Sequence, residues 1–225
     1  MKSLLRHPNV WVLIPAISGL LFPALSMAAA YAHVEVRGEG KVRVTSDNIV
    51  VIVPADFRDI DVSLPNGKVT AIRVFGNYTD GAEPDNRESS VLPRGWVETG
   101  NTENLCGNQD PSWWRGRTSS GSPNEADCAE LGYAVSFQRG FWSTGQLNNY
   151  LTIALRGTCA FGVRLTVGTL CGGEYNVGNT DVTDLIRDSI RFALGGKLGA
   201  EGAFLPCRGP GGGNSCAIDW AIYHT

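Results

Sequence analysis

Short runs in which apolar and polar residues alternate dominate the chain, so strands are the commonest expected element. In residues 34–44 (VEVRGEGKVRV), Val34 and Val36, then Val42 and Val44, take alternate positions, the pattern of a half-buried strand. Residues 49–53 are a continuous β-branched run, and residues 68–75 (KVTAIRVF) follow Asn66-Gly67, a strong hairpin-turn signal. Residues 76–93 are polar and turn-rich, as in an exposed loop or linker. Further strands are expected over 137–142, 151–155, 158–167, 197–205 and 217–223. Two segments carry helical periodicity. Ser122-Pro123-Asn124-Glu125 opens the first, with Ser122 as N-cap, Pro123 at the first helical position and Glu125 completing a capping box. It runs to about Val135, with Ala126, Cys128, Ala129, Leu131 and Tyr133 as its contacts. The second places Val182, Leu185, Ile186, Ile190, Ala193 and Leu194 on one stripe. Thr180 or Asn179 caps its start, and Gly195-Gly196 stops it. Asp184, Arg187, Asp188 and Arg191 lie opposite, a solvated face with local ion pairing.

Strands outnumber helices and do not alternate with them one for one. The expected class is therefore α+β: a mainly antiparallel sheet with two helices on one face, disulfide-stapled, preceded by a small β-rich segment.

Composition adds a compartment. Lys2 and Arg6 precede an uncharged apolar stretch over residues 10–22, and small residues follow at Ser26-Met27-Ala28 and Ala30-Tyr31-Ala32. That order is expected to be a secretory signal peptide over residues 1–32, too short in its apolar run to span a bilayer. No later segment is long enough to try. Without Lys2 and Arg6 the 19 basic residues become 17 against 22 acids, and no basic stripe marks a nucleic-acid or membrane-surface partner. The expected organisation is a signal over 1–32, a β-rich module or extension over 33–100, and a cysteine-rich domain over 101–225.

All six cysteines (Cys106, Cys128, Cys159, Cys171, Cys207 and Cys216) fall in that last part. An even number in an oxidising compartment reads as three disulfides, with 15 pairings open. Zinc is not expected, since no C-x-x-C pair occurs and only His33 and His224 follow the signal. Those two histidines also leave no expected triad, and no nucleotide fingerprint appears; residues 209–213 (GPGGG) lack the lysine and the context of a phosphate loop. Catalytic residues, metal and cofactor are all expected to be absent. Asp110, Asp127, Glu174 and Asp219 are carboxylates that a glycoside hydrolase would need in a pair, but nothing in the sequence pairs them. Trp113 and Trp114 are candidates for recognition, because two adjacent tryptophans in a polar stretch are not expected both to be buried. Asn77-Tyr78-Thr79 is an N-glycosylation sequon in the expected loop.

Cys106-Gly107, SGSPNEADC (120–128), GTCAFGV (157–163), residues 177–207 and the ending IDWAIYHT, in this order, resemble the fungal "extracellular protein two" effectors, or necrosis-inducing factors. That family in turn resembles the killer-protein-four toxins of smut fungi. The resemblance covers about residues 101–225. It implies an antiparallel sheet carrying two helices, in an effector that provokes necrosis in a plant host or a toxin against competing microbes. Its action would be non-catalytic, on a host or competitor cell-surface or membrane protein, or a glycan; a secreted carbohydrate-binding or cell-wall-active protein is the alternative. The toxin relatives' action on calcium channels depends on a lysine, but no motif aligns Lys197 with it. Cys106, Cys128, Cys159 and Cys207 match the family's four-cysteine core, and Cys171 and Cys216 are additional. The expected pairing is Cys128–Cys159 pinning the first helix to a strand, Cys106–Cys207 closing the domain, and Cys171–Cys216 as the added staple.

Overall fold

The computed structural model describes residues 41–45, 49–76, 95–145, 147–169, 171–209, 212–213 and 215–225. The expected signal segment, His33 and the Asn77 sequon lie outside these residues. The elements run β1 (Lys41–Val44), β2 (Val50–Val53), β3 (Phe57–Ser63), β4 (Val69–Phe75), β5 (Gly95–Glu98), β6 (Trp114–Gly116), α1 (Glu125–Ser136), β7 (Gly140–Thr144), β8 (Tyr150–Arg156), β9 (Cys159–Leu165), β10 (Tyr175–Gly178), α2 (Asn179–Ser189), β11 (Ala200–Cys207) and β12 (Cys216–His224). The class is α+β.

The Asn66-Gly67 signal makes its hairpin. Gly67 takes φ +76°, Leu64 N–H donates to Lys68 O at 2.8 Å, and β3 and β4 pair in full register from Phe57↔Phe75 to Ser63↔Val69. A large sheet follows the order β1-β2-β8-β9-β12-β11-β6. On its other edge β8 is shared: β2 pairs with Tyr150 and Leu151 in parallel, and β4 pairs with Ala154 and Leu155 antiparallel. Strands ahead of the first cysteine are thus hydrogen-bonded into the same sheet as the stapled region. A second, three-stranded sheet runs β10-β7-β5 and brings Trp96 and Trp142 edge to face at 4.6 Å.

α1 lies on β8, β9 and β4, and α2 packs behind α1 and reaches the small sheet through β10 and β7. Because α1 is covered on two sides, its buried residues are Cys128, Leu131, Gly132, Ala134 and Val135 rather than a single stripe. Ala126, Ala129 and Tyr133, expected as contacts, are exposed; the Tyr133 ring meets that of Phe137 edge to face at 5.0 Å. The N-cap is Asn124, not Ser122. Ser122 is turned inward, and its hydroxyl accepts from Ser119 N–H at 3.0 Å. Residues 137–139, expected as strand, follow directly from the helix end, and β7 starts at Gly140.

α2 buries Val182, Leu185 and Ile186 as expected, but Leu194 is 74% exposed. The helix tightens into a 3-10 turn over Ile190–Phe192 and ends in a turn at Gly195-Gly196, where Leu194 and Lys197 exchange backbone hydrogen bonds. Its outer face carries Arg187–Asp184 and Arg187–Asp188 pairs at 2.8 and 3.0 Å. Neither Thr180 nor Asn179 caps its start. The N-cap is Gly178, whose N–H donates to Asp181 Oδ2 at 2.8 Å. A Cβ at Gly178 would sit 2.1 Å from Glu103 O, so only glycine lets the chain of residues 103–106 pass here. The freed Asn179 and Thr180 side chains hold that passing chain instead: Glu103 N–H donates to Asn179 Oδ1, and Thr180 Oγ1 donates to Glu103 O.

Three disulfides join Cys106 to Cys207, Cys128 to Cys159 and Cys171 to Cys216. Cys128–Cys159 ties α1 to β9, and Cys106–Cys207 ties the segment after β5 to the end of β11.

Candidate functional site

Alternation along β9, β11 and β12 sends two sets of side chains to opposite faces of the large sheet. Phe161, Val163, Ile218, Trp220 and Ile222 point to the helix side and are buried. Arg164, Glu201, Asp219 and Ala221 point the other way. Half of that second face is covered, where Ile49 and Val51 pack on Tyr150, Ala160, Ala221 and Tyr223. The other half is a groove of about 680 Å³, lined among others by Trp113, Arg115, Arg117, Asn149, Tyr150, Arg164, Glu201, Phe204 and Asp219.

Its floor is fixed by cross-strand pairing. Asp219 stands opposite Arg164, and Arg115 opposite Glu201. Arg164 holds Asp219 Oδ2 with Nε at 3.0 Å and a terminal nitrogen at 2.9 Å, while its guanidinium lies 4.5 Å from the Tyr150 ring centre. Burial raises the Tyr150 phenol well above its ordinary value and keeps it neutral. Arg117 pairs with Glu201 at 2.6 Å. Among the described residues the Arg115 side chain has no hydrogen-bond or ion-pair partner, and it is exposed on the groove wall.

The rim is aromatic. Trp113 and Phe204 are 41% and 45% exposed, with ring centres 4.6 Å apart. Phe204 sits in an irregularity of β11 between Gly202 and Leu205, with φ +58°, the one non-glycine residue in the left-handed region among the described residues. The bulge is held from three sides. Phe204 N–H donates to Asp219 Oδ1 at 3.4 Å, and Gln109 Nε2 donates to Ala203 O. The Gln109 oxygen accepts from Trp220 Nε1 at 2.9 Å. Asp219 Oδ1 is itself held by Thr166 Oγ1 at 2.6 Å. Next to the bulge, Gly202 leaves room for Trp220: a Cβ there would meet its Nε1 at 2.4 Å.

A bulky residue in this backbone region costs about 1–3 kcal/mol, and a ring left nearly half exposed returns little of that by burial. Phe204→Gly should therefore leave the melting temperature unchanged or raise it, as read by thermal unfolding.

The structure separates the two adjacent tryptophans. Trp113 belongs to the rim, whereas Trp114 is half-buried with its ring 4.8 Å from Trp220 and the Arg191 guanidinium over it at 5.0 Å. The four carboxylates singled out from the sequence do not meet; each has a local task. Asp110 accepts from Ser112 N–H, which lowers its pKa. Asp127 accepts from the Thr158 hydroxyl and N–H, and these bonds lower it likewise. Glu174 accepts from Ser143 Oγ at 2.9 Å, and only Asp219 lies in the groove. His224 Nδ1 lies 2.9 Å from Thr225 O, and Lys197 Nζ donates to Asn124 Oδ1 at 2.9 Å. Among the described residues, no three of His, Cys, Asp and Glu come together to hold a metal ion, and no helix is long and apolar enough to cross a membrane. Phe204 and Arg115 were not legible in the sequence as site residues; the left-handed φ and the sheet register that reveal them exist only in the fold.

The stapled region matches one family model over residues 105–207, described as "pathogen effector; putative necrosis-inducing factor". Over residues 105–207 the chain is similar to the Hce2 family. The groove draws on this segment for β6, β8, β9 and β11, and on residues outside it for Asp219, Ile49 and Val50. The chain is also 34% identical over 107 residues to "Probable chitinase LysM18" of Penicillium expansum. That alignment takes in 47% of this chain and 7% of the other protein, so the chain spans a small part of its relative.

Proposed function

We propose that this chain is a secreted, necrosis-inducing-factor-like effector that acts on host or competitor cells by binding rather than catalysis, with the groove as its recognition surface. Residues 1–32 serve as its signal and Asn77 as a glycan acceptor. The observation that carries this reading is the Trp113–Phe204 rim, two exposed aromatic rings, one on the 3-10 turn before β6 and one on the hydrogen-bonded β11 bulge, beside a polar floor. The Hce2 match favours an effector role, and three disulfides suit an oxidising extracellular medium. Binding without catalysis is favoured by the carboxylates. Asp110 and Asp127 are held ionised by hydrogen bonds, and Asp219 is tied to Arg164 and Thr166, whereas a glycosidase needs one carboxyl kept protonated as general acid.

Purified protein infiltrated into leaves, or added to competing fungi, should provoke necrosis or growth arrest at micromolar dose. Trp113→Ala should weaken the response. Silence of the wild-type protein in both assays overturns the reading.

A second reading, a carbohydrate-binding or cell-wall-active protein, is favoured by the partial likeness to a protein named as a chitinase. Release of reducing ends from wall polysaccharides would establish it over the first.

A further inference from the structure

The groove's volume of about 680 Å³ falls in the range of small-ligand sites, about 300–1,000 Å³, and its lining specifies a chemistry. Three guanidinium groups, of Arg115, Arg117 and Arg164, face two carboxylates, of Glu201 and Asp219, in a chain whose formal net charge is −3. Arg164 is committed to Asp219, and Arg117 to Glu201. The Arg115 side chain has no such partner among the described residues, so the groove's described lining carries one positive charge beyond its own pairing. A guanidinium of this kind matches a carboxylate with two parallel N–H donors. The neighbouring rim offers two ring faces, and exposed aromatic faces take the apolar C–H side of a sugar ring at little cost in side-chain entropy. Asn149 adds an amide able to donate to and accept from hydroxyls. Phe204 strengthens the case, since strain at a bulky residue whose ring is left exposed points to function rather than packing.

From this combination we infer that the groove binds an acidic oligosaccharide, a chain of sugar rings bearing carboxylates, with rings stacked on Trp113 and Phe204 and one carboxylate on Arg115. This deepens the recognition reading above and rests on it for its biological meaning.

The test is calorimetric titration of the full chain with tetragalacturonate, with its methyl ester, and with chitotetraose. The methyl ester keeps the rings and removes the charge. Tetragalacturonate should bind, and the ester and chitotetraose should bind at least about tenfold more weakly. Phe204→Gly, which folds without the strain, should abolish binding. Arg115→Gln should bring the acid down to the level of the ester, and added salt should weaken the wild-type binding. Equal binding of acid and ester overturns the inference, as does binding untouched by both substitutions or no binding of any of the three. Leaf infiltration separates the two levels. A necrotic response retained in Phe204→Gly overturns the groove's role while leaving the effector reading standing. Sugar binding by a wild-type protein that provokes no response in leaf or fungus overturns the effector reading and keeps the ligand. A response lost in Phe204→Gly from a protein that binds no sugar overturns the oligosaccharide and points to a protein target.

Discussion

Converting Cys106 and Cys207 together to alanine is expected to cost about 4 kcal/mol of stability, read as a shift in the midpoint of chemical denaturation under non-reducing conditions. The two residues are 101 apart in sequence, and closing a loop of that size removes about 4.7 kcal/mol of unfolded-chain entropy. The other two disulfides shorten the effective loop, which trims the figure only slightly because the dependence is logarithmic. The bond also has a native-state task. It holds residues 105–107 along the end of β11, where Gly107 N–H donates to Pro206 O at 2.6 Å and Arg208 N–H to Leu105 O at 2.9 Å. A loss below about 1 kcal/mol would show that the other contacts hold this segment unaided.

Asp181→Ala should be nearly as costly, on the order of 4 kcal/mol, because it leaves several buried donors unpaired at once. Asp181 is 7% exposed. Its Oδ2 accepts from the N–H groups of Gly178, Leu105 and Cys106 at 2.8, 2.9 and 3.1 Å. With the Asn104 amide turned so that its nitrogen faces the carboxylate, Oδ1 accepts as well, at 2.8 Å. One side chain thus caps α2 and secures the segment carrying Cys106. Burial pushes the Asp181 carboxyl up to about 6, against the pull of the three backbone donors. The native protein therefore binds this proton more tightly than the unfolded chain, in which the group titrates near 3.8. The stability it adds is fully present below about 4 and is lost as pH rises to about 6. Asp181→Asn should flatten that slope and cost less than alanine, since the new amide keeps an oxygen for the backbone donors and Asn104 can turn to meet its nitrogen. Unfolding midpoints at pH 4, 5 and 6.5 check this; a wild-type slope unchanged in Asp181→Asn would assign the pH dependence to other groups. Asp181 and the Cys106–Cys207 bond hold the same segment, so removing both should cost less than the sum of the separate losses.

Local signals carried through to structure where a single residue type decides the backbone. Asn66-Gly67 makes its turn, Gly195-Gly196 ends the α2 region, and the β-branched run 50–53 is a strand. Prediction failed where the deciding contact is distant. Ser122 carries a strong capping pattern, but burial turns it toward Ser119. β3 (FRDIDVS) hides behind its charges because only Val62 of it is fully buried, and β10 is too short to register as a pattern. Trp96 and Trp142 look like any other aromatics until the small sheet pairs them. The groove was half visible: Trp113 stood out by composition, whereas Phe204, Arg115 and the Arg164–Asp219 pair depend on a bulge and on strand register that no local window contains.

β12 lies between β9 and β11, paired to both along most of its length, and it falls outside the 105–207 segment shared with the effector family. A fragment cut at the limits of likeness would expose two facing rows of backbone donors and acceptors in the middle of the sheet and leave Cys171 a thiol in search of a partner. Such edges pair with whatever strand is at hand, so that fragment should oligomerise or exchange strands rather than fold alone. The portion matched by the family model is smaller than the portion expected to fold together, so borders drawn by likeness and by cooperativity need not coincide.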